Sequence, residues 1–328
     1  MRKYLSITLL ILWSMLGCKN AETKPEVETP TEMPDTPSVT VAFEAKAELG
    51  EGAFWNYKTQ QLYWIDILGK QLHLLDPLSK NIQTFNLPSR IGTVVPQTDS
   101  TAVVALEDGI YLQNTKNGSL NQLTPLEADQ PGNRFNDGKC DPAGNLWVGS
   151  MDLAEKNPVA KLYKVTPQGV ATAMLDSITI SNGIVWTKDG RTMYYTDTPT
   201  GKIRAYDFDP WNATLSNERV AVEVPVELGF PDGMTIDADD MLWVALWNGN
   251  AVVRFDPKTG EILQKIEVPA HNVSSCAFGG PNLDILYITS ARVDMSEAEL
   301  EAFPLAGSVF EVKPGVHGVK STFFGTPK

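Results

Sequence analysis

The sequence predicts an all-β chain folded as a six-bladed β-propeller of four-stranded blades. Three observations predict it. First, six short strands share one pattern: LYWID from Leu62, AVVAL from Ala102, LWVGS from Leu146, MYYTD from Met193, LWVAL from Leu242 and LYITS from Leu286. Their second residues, Tyr63, Val103, Trp147, Tyr194, Trp243 and Tyr287, are spaced by 40, 44, 47, 49 and 44 residues, which is the period of a propeller blade. Second, a further strand follows each of them. In five repeats a proline closes it (LHLLDP, KLYKVTP, IRAYDFDP, VVRFDP, VFEVKP), where a missing N–H costs no ladder bond. Blade two has IYLQN instead. Third, helical periodicity is scarce and turn residues separate the strands throughout. A long β-solenoid is the competing architecture, but its turns are shorter than this period.

Taken in order, the chain opens with MRKYLSITLLILWSMLGCKN. Two basic residues, an apolar run and Gly17-Cys18 read as an export signal over 1–18, too short for a spanning helix of about 20 apolar residues. The small residue before Cys18 reads as a lipidation site. The expectation is therefore an exported, membrane-anchored lipoprotein, periplasmic or on the outer envelope. Residues 19–40 hold four prolines among acids and threonines, with little to bury, and read as a disordered tether. Residues 41–328 read as one propeller domain. The segment VTVAFEAK, 39–46, precedes the first repeat and is placed to pair onto the last blade and close the ring.

The net charge of −13 argues against nucleic acid and against an anionic membrane face, so membrane contact is expected only through Cys18. A small-molecule ligand and a monomer are the expectation. Beyond Cys18 only Cys140 and Cys276 remain, which is no disulfide framework and no CxxC site; both read as buried apolar residues.

The first strand of a propeller blade lines the central channel. Counting back eleven or twelve positions from each repeat aromatic gives Glu51, then Ile91 or Gly92, then Asn136, Asn182, Asp232 and Ser275. Two carboxylates and two amides converging on one axis suit a hard divalent cation, with Glu51 and Asp232 balancing its charge. Without a cation the two acids repel and one tends to hold a proton. Spacing alone leaves a second reading open, in which these are turn residues bonded to backbone. It also leaves blade three ambiguous: Asp137-Gly138 matches Asp232-Gly233, whereas the count from Trp147 selects Asn136.

At these residues the sequence resembles the gluconolactonase, regucalcin and senescence-marker-protein family. The motifs are LGEGAFW, NRFNDGKCDPAGNLWVGSM, ISNGIVW, FPDGMTID, LWVALW with AVVRFDP, and SSCAFGGPNLDILYITSA with PLAGSVFEV. They run in family order over nearly all of the chain beyond the tether. The resemblance implies a six-bladed propeller with one divalent metal ion (Ca, Zn, Mg or Mn) held by Glu51, Asn182 and Asp232. It implies substrate contacts at Arg134 and Asn136, which leaves Asp137 behind them. After GSM the family places another polar contact, for which Asp152 and Glu155 are both candidates.

The implied reaction is hydrolysis of a sugar lactone to its hydroxy acid, with Asp232 as metal ligand and general base. Arg134 offers a fork of donors to lactone oxygens. His271, four residues before Ser275, is a further candidate; His73 and His317 are not. Trp247 either walls the pocket or packs between blades. No G-x-S-x-G elbow, G-x-G-x-x-G or phosphate loop is present. Two alternatives remain: a non-catalytic propeller that binds sugar or calcium at the cell envelope, and an esterase or phosphotriesterase acting at the same metal.

Overall fold

The computed structural model describes residues 37–326. The export signal, Cys18 and all but the last four residues of the tether lie outside the described residues. Among the described residues no helix is long and apolar enough to cross a membrane.

Twenty-four strands form six antiparallel sheets of four, and one short α-helix, Glu297–Ala302, interrupts them. Five sheets are meanders whose strand order follows the chain. The sixth is completed by the first strand, Thr40–Phe43, which pairs with Val309–Val312 and sets Thr40 opposite Glu311 and Val41 opposite Phe310. The expected pairing of 39–46 onto the last blade is thus present, and the ring is closed by both ends of the propeller.

The six inner strands are Gly50–Asn56, Ile91–Thr98, Asn133–Cys140, Ser181–Trp186, Phe230–Ile236 and Asn272–Gly279. Each packs on the next around a full circle, which rules out a solenoid. Aromatic side chains of the repeat motif wedge between blades. Trp147 meets Trp186 and Phe208 of blade four edge-on, each at 5.8 Å between ring centres. Trp243 meets Phe278 of blade six at 5.6 Å, and Tyr287 stacks on Trp55 of blade one at 5.5 Å. Such pairs add about 0.5–1.5 kcal/mol each beyond the apolar area they bury.

Buried polar groups hold these rings in place. Asp141 accepts the Trp147 indole N–H at 2.8 Å, and Asp237 accepts that of Trp243 at 3.0 Å. Asn56 donates to the Tyr63 hydroxyl at the same place in blade one. The acidic end of the repeat motif acts at the opposite rim. Asp66 accepts the N–H groups of Glu48 and Leu49, and Asp197 those of Thr179 and Ile180. These bonds fix the turns that lead into Glu51 and Asn182. Cys140 and Cys276 are buried free thiols, and burial pushes both thiols upward in pKa, as apolar residues rather than reactive ones.

Candidate functional site

Each inner strand carries one extra residue at the same level. In blade one Glu51 pairs with Ile65 but Phe54 with Tyr63. In blade three Phe135 pairs with Ser150 but Gly138 with Val148, and in blade five Pro231 with Leu246 but Met234 with Val244. Blades two, four and six slip at Gly92, Gly183 and Ser274. A bulge kinks the strand and re-aims side chains, and here six bulges ring the axis. Gly183 and Gly233 let neighbouring blades close up there. A Cβ on Gly183 would sit 2.6 Å from the Asp232 carbonyl oxygen, and one on Gly233 would sit 2.7 Å from Ser275 Oγ.

A cavity of about 480 Å³ opens above this level. Glu51, Arg134, Asn136, Asn182 and Asp232 line its floor and are all buried. Glu51 Oε2 accepts the Gly52 N–H at 2.8 Å. Asn182 Nδ2 donates to Thr198 Oγ1 at 3.0 Å, and that hydroxyl donates to the Pro231 carbonyl at 2.8 Å. The amide is thereby oriented with its oxygen free. Asn182 Oδ1 and Asp232 Oδ1 are both buried without a hydrogen-bond partner. Such atoms carry a desolvation cost that a ligand relieves.

Burial and the charge of Asp137 raise Glu51 to a pKa of about 7. Burial and the facing Glu51 charge push Asp232 well above the usual carboxylate range. Two facing acids, one of them with an unpartnered oxygen, together with the unpartnered amide oxygen of Asn182, fit a hard cation. Among the described residues no group of three or more His, Cys, Asp or Glu side chains gathers to bind a metal. The third donor here is an amide, which favours an oxygen-seeking ion over a thiolate- or imidazole-seeking one.

Arg134 Nη1 donates to Asn136 Oδ1 at 2.6 Å and to the Phe135 carbonyl at 3.0 Å. Burial and the nearby Arg90 lower its pKa to about 10, against the pull of Glu51, Glu155 and Asp232. Asn136 Nδ2 donates to the Ser181 carbonyl at 2.7 Å. Each end of the Asn136 amide thus makes one bond within the protein, which positions Arg134 and leaves one N–H and one lone pair of Asn136 in the cavity lining.

The remaining sequence candidates separate. Asp137 lies beside the acid pair, with Oδ1 accepting Gly138 N–H and Oδ2 unpartnered, but it does not line the cavity. Glu155 lines the cavity; Asp152 does not, because its carboxylate is folded into a turn that accepts Ala154, Lys156 and Asn157 N–H groups. His271 is not brought in: it bonds Asn250, stacks on Phe303 and faces Glu299. Ser275 of blade six is buried against Gly233 and contributes nothing to the cavity. Trp247 does wall it.

Sequence reasoning missed Arg90 and Thr198. Arg90 lines the cavity while its Nε donates to Glu107 at 2.7 Å. Thr198 directly follows the MYYTD strand, so the repeat motif itself marks the loop that orients Asn182.

A family model described as the SMP-30/Gluconolactonase/LRE-like region matches residues 49–292. A Bacillus subtilis protein, named provisionally as the sugar lactone lactonase YvrE, is 37% identical over 270 residues, covering 82% of this chain and 92% of that protein. Regucalcin of Danio rerio is 36% identical over 284 residues, covering 86% of this chain and 96% of its own length. Among solved structures, a calcium-binding protein, regucalcin, from Agrobacterium tumefaciens superposes with a TM-score of 0.82 at 31% identity, over 89% of this chain and 97% of that one.

Proposed function

This chain belongs to the SMP-30/gluconolactonase/LRE-like family, and from that membership we propose that it hydrolyses a lactone, of the sugar-lactone class by its relatives' naming, at the floor of the channel. The observation that carries the reading is the pair of buried, unpartnered oxygens, Asn182 Oδ1 and Asp232 Oδ1, facing a cavity with Glu51 and Arg134.

Glu51, Asn182 and Asp232 would hold one divalent cation, and the calcium-binding description of the Agrobacterium protein favours Ca²⁺ among the candidates. Bound there, such an ion supplies Lewis-acid polarisation of a carbonyl. With a cation beside them, Glu51 and Asp232 would ionise despite the burial and neighbouring acids that raise both.

Asp232 then accepts one proton from the attacking water, whose oxygen bonds to the acyl carbon. The acyl–oxygen bond breaks, and the ring oxygen leaves as a hydroxyl carrying that proton. One lactone and one water give one hydroxy acid. Arg134 lines the cavity beside Glu51 and Asp232, and Asn136 and the Phe135 carbonyl hold it in place for the lactone oxygens and the product carboxylate. We further propose that the protein is exported and anchored through a lipid on Cys18, and that it acts as a monomer. Cys18→Ser should abolish lipid labelling while leaving catalysis intact.

The reading is tested by pH-stat titration of lactone hydrolysis on chelated protein, with and without added Ca²⁺, Mg²⁺, Mn²⁺ or Zn²⁺. Turnover restored by one of them is the expected result. Tight cation binding with no turnover of any lactone would instead select the non-catalytic binding propeller.

A further inference from the structure

The walls of the cavity do not match its floor. Leu68 of blade one, Trp247 of blade five and Val293 of blade six line the mouth and pack on one continuous apolar cluster. Phe230 stands opposite Trp247 in the blade-five ladder and is 39% exposed at the rim. Leu153 and Ile180 continue the apolar lining across blades three and four. A large apolar side chain left open to water at the mouth of a polar site is costly unless a ligand covers it.

Part of the polar lining is engaged within the protein, while Glu155, Asn248 and Asp294 also line the cavity. Asn136 is engaged at both ends of its amide, Thr198 both accepts and donates within the protein, and Arg90 is paired with Glu107. A ring hydroxyl laid against Leu68, Phe230, Trp247 and Val293 would meet apolar side chains, and burying it there without a partner is unfavourable.

We infer that the lactone this site takes carries an apolar arm: the ring carbonyl sits over Glu51, Asn182 and Asp232, and an alkyl or aryl substituent lies along Leu68, Phe230, Trp247 and Val293. This rests on the lactonase reading and replaces its sugar-lactone class with lactones that carry an apolar substituent. The relatives' sugar lactones would then be the poorer substrates.

The test compares three lactones on the metal-loaded protein: an unsubstituted γ-lactone, the same ring with a γ-hexyl chain, and a glucono-δ-lactone. The hexyl compound should exceed both others in kcat/KM by about tenfold or more, the scale of a few methylenes in an apolar pocket. Phe230→Asp, at an exposed rim position, should cut the hexyl-to-unsubstituted ratio by about tenfold. A sugar lactone that outperforms both γ-lactones, or a ratio that Phe230→Asp leaves unchanged, overturns the inference. Turnover of none of the three defeats the lactonase reading instead. Calorimetric titration of the same compounds then decides: tighter binding of the hexyl lactone upholds the apolar wall, and equal or weaker binding overturns it.

Discussion

The inner strand of blade five carries an aspartate at each end. Asp232 stands at the cavity floor and Asp237 just past Ile236, and they are 5% and 0% exposed. Asp237 accepts four hydrogen bonds, from Asp239 N–H, Met241 N–H, the Trp243 indole and the Arg254 guanidinium. Asp232 has one oxygen with no partner, faces a second acid, and holds a pKa far above the ordinary range. Burial and residue type are the same; the difference is satisfaction. A buried carboxylate that the protein itself completes holds structure together, whereas one left incomplete is shaped for something the chain does not contain.

The largest expected effect separates these two acids. Asp232→Asn keeps one carbonyl oxygen but loses the charge and the proton acceptor. At saturating cation kcat should fall by about 10²-fold or more, and cation affinity should fall with it. Asp237→Asn should do the reverse. Its amide offers one accepting atom where two are used, so Trp243 or Arg254 loses a partner and stability drops by about 1–3 kcal/mol. Its kcat at saturating substrate should stay near the wild-type value. Thermal melts and steady-state kinetics on both variants test the comparison directly, and a swap of the two phenotypes would undo it. Asp137→Asn, behind the cavity, should fall between them, with a loss below tenfold.

The next effect tests whether Arg134 acts on ligand rather than as an ion-pair partner. Arg134→Lys keeps the charge and loses the planar fork that Asn136 and the Phe135 carbonyl hold. We expect kcat/KM to drop by about tenfold to a hundredfold, the range for a lost charged hydrogen bond, with cation affinity preserved. Wild-type kinetics would return Arg134 to a structural role.

A smaller effect is expected one bond further out. Thr198→Val is nearly isosteric and frees the Asn182 amide to rotate. Cation affinity should weaken by about tenfold, the usual scale for losing an outer partner of a ligand, while kcat at saturating cation stays close to wild type. Isothermal titration of the cation reads this without turnover.

Position along the repeat was enough to foresee that some of these residues share one cavity. Glu51, Asn182 and Asp232 could be counted back from the repeat aromatics because every inner strand carries one extra residue at the same level, which keeps the count constant. The closing strand at Thr40–Phe43 was readable because it is a β-prone segment placed ahead of six complete repeats. Asn136 and Asp137 could not be told apart by counting, since both fall inside one bulge and local dihedrals decide which side chain faces the axis. Arg90, Thr198 and the blade-five pair Phe230 and Trp247 come from three blades. Only ring closure makes them neighbours, and no local pattern encodes that. His271 misled because proximity along the chain to an inner strand does not settle which way the entry loop turns.

The smallest expected effect is a pH signature of the incomplete acids in metal-free protein. Glu51 has a folded pKa of about 7, raised above its ordinary value near 4.5. Between these values the folded state binds more protons than the unfolded one, so its contribution to stability is present below the lower value and is lost as pH rises through the upper one. His73 works the opposite way. Burial against Trp64 lowers it to about 4, so the stability it carries is present above its ordinary value near 6.5 and is lost as pH falls through 4. The two trends overlap, and a wild-type melt alone would mix them. Glu51→Gln removes Glu51 together with its push on Asp232 and leaves His73 untouched, so it separates the acid pair from the histidine. In metal-free protein the melting temperature of Glu51→Gln minus that of wild type should therefore climb by a few degrees as pH rises from 4.5 to above 7. With saturating cation the sign should reverse at neutral pH, because glutamine lacks the charge that would hold the ion. A difference flat across this range would place Glu51 with Asp237, among the carboxylates the fold has already completed.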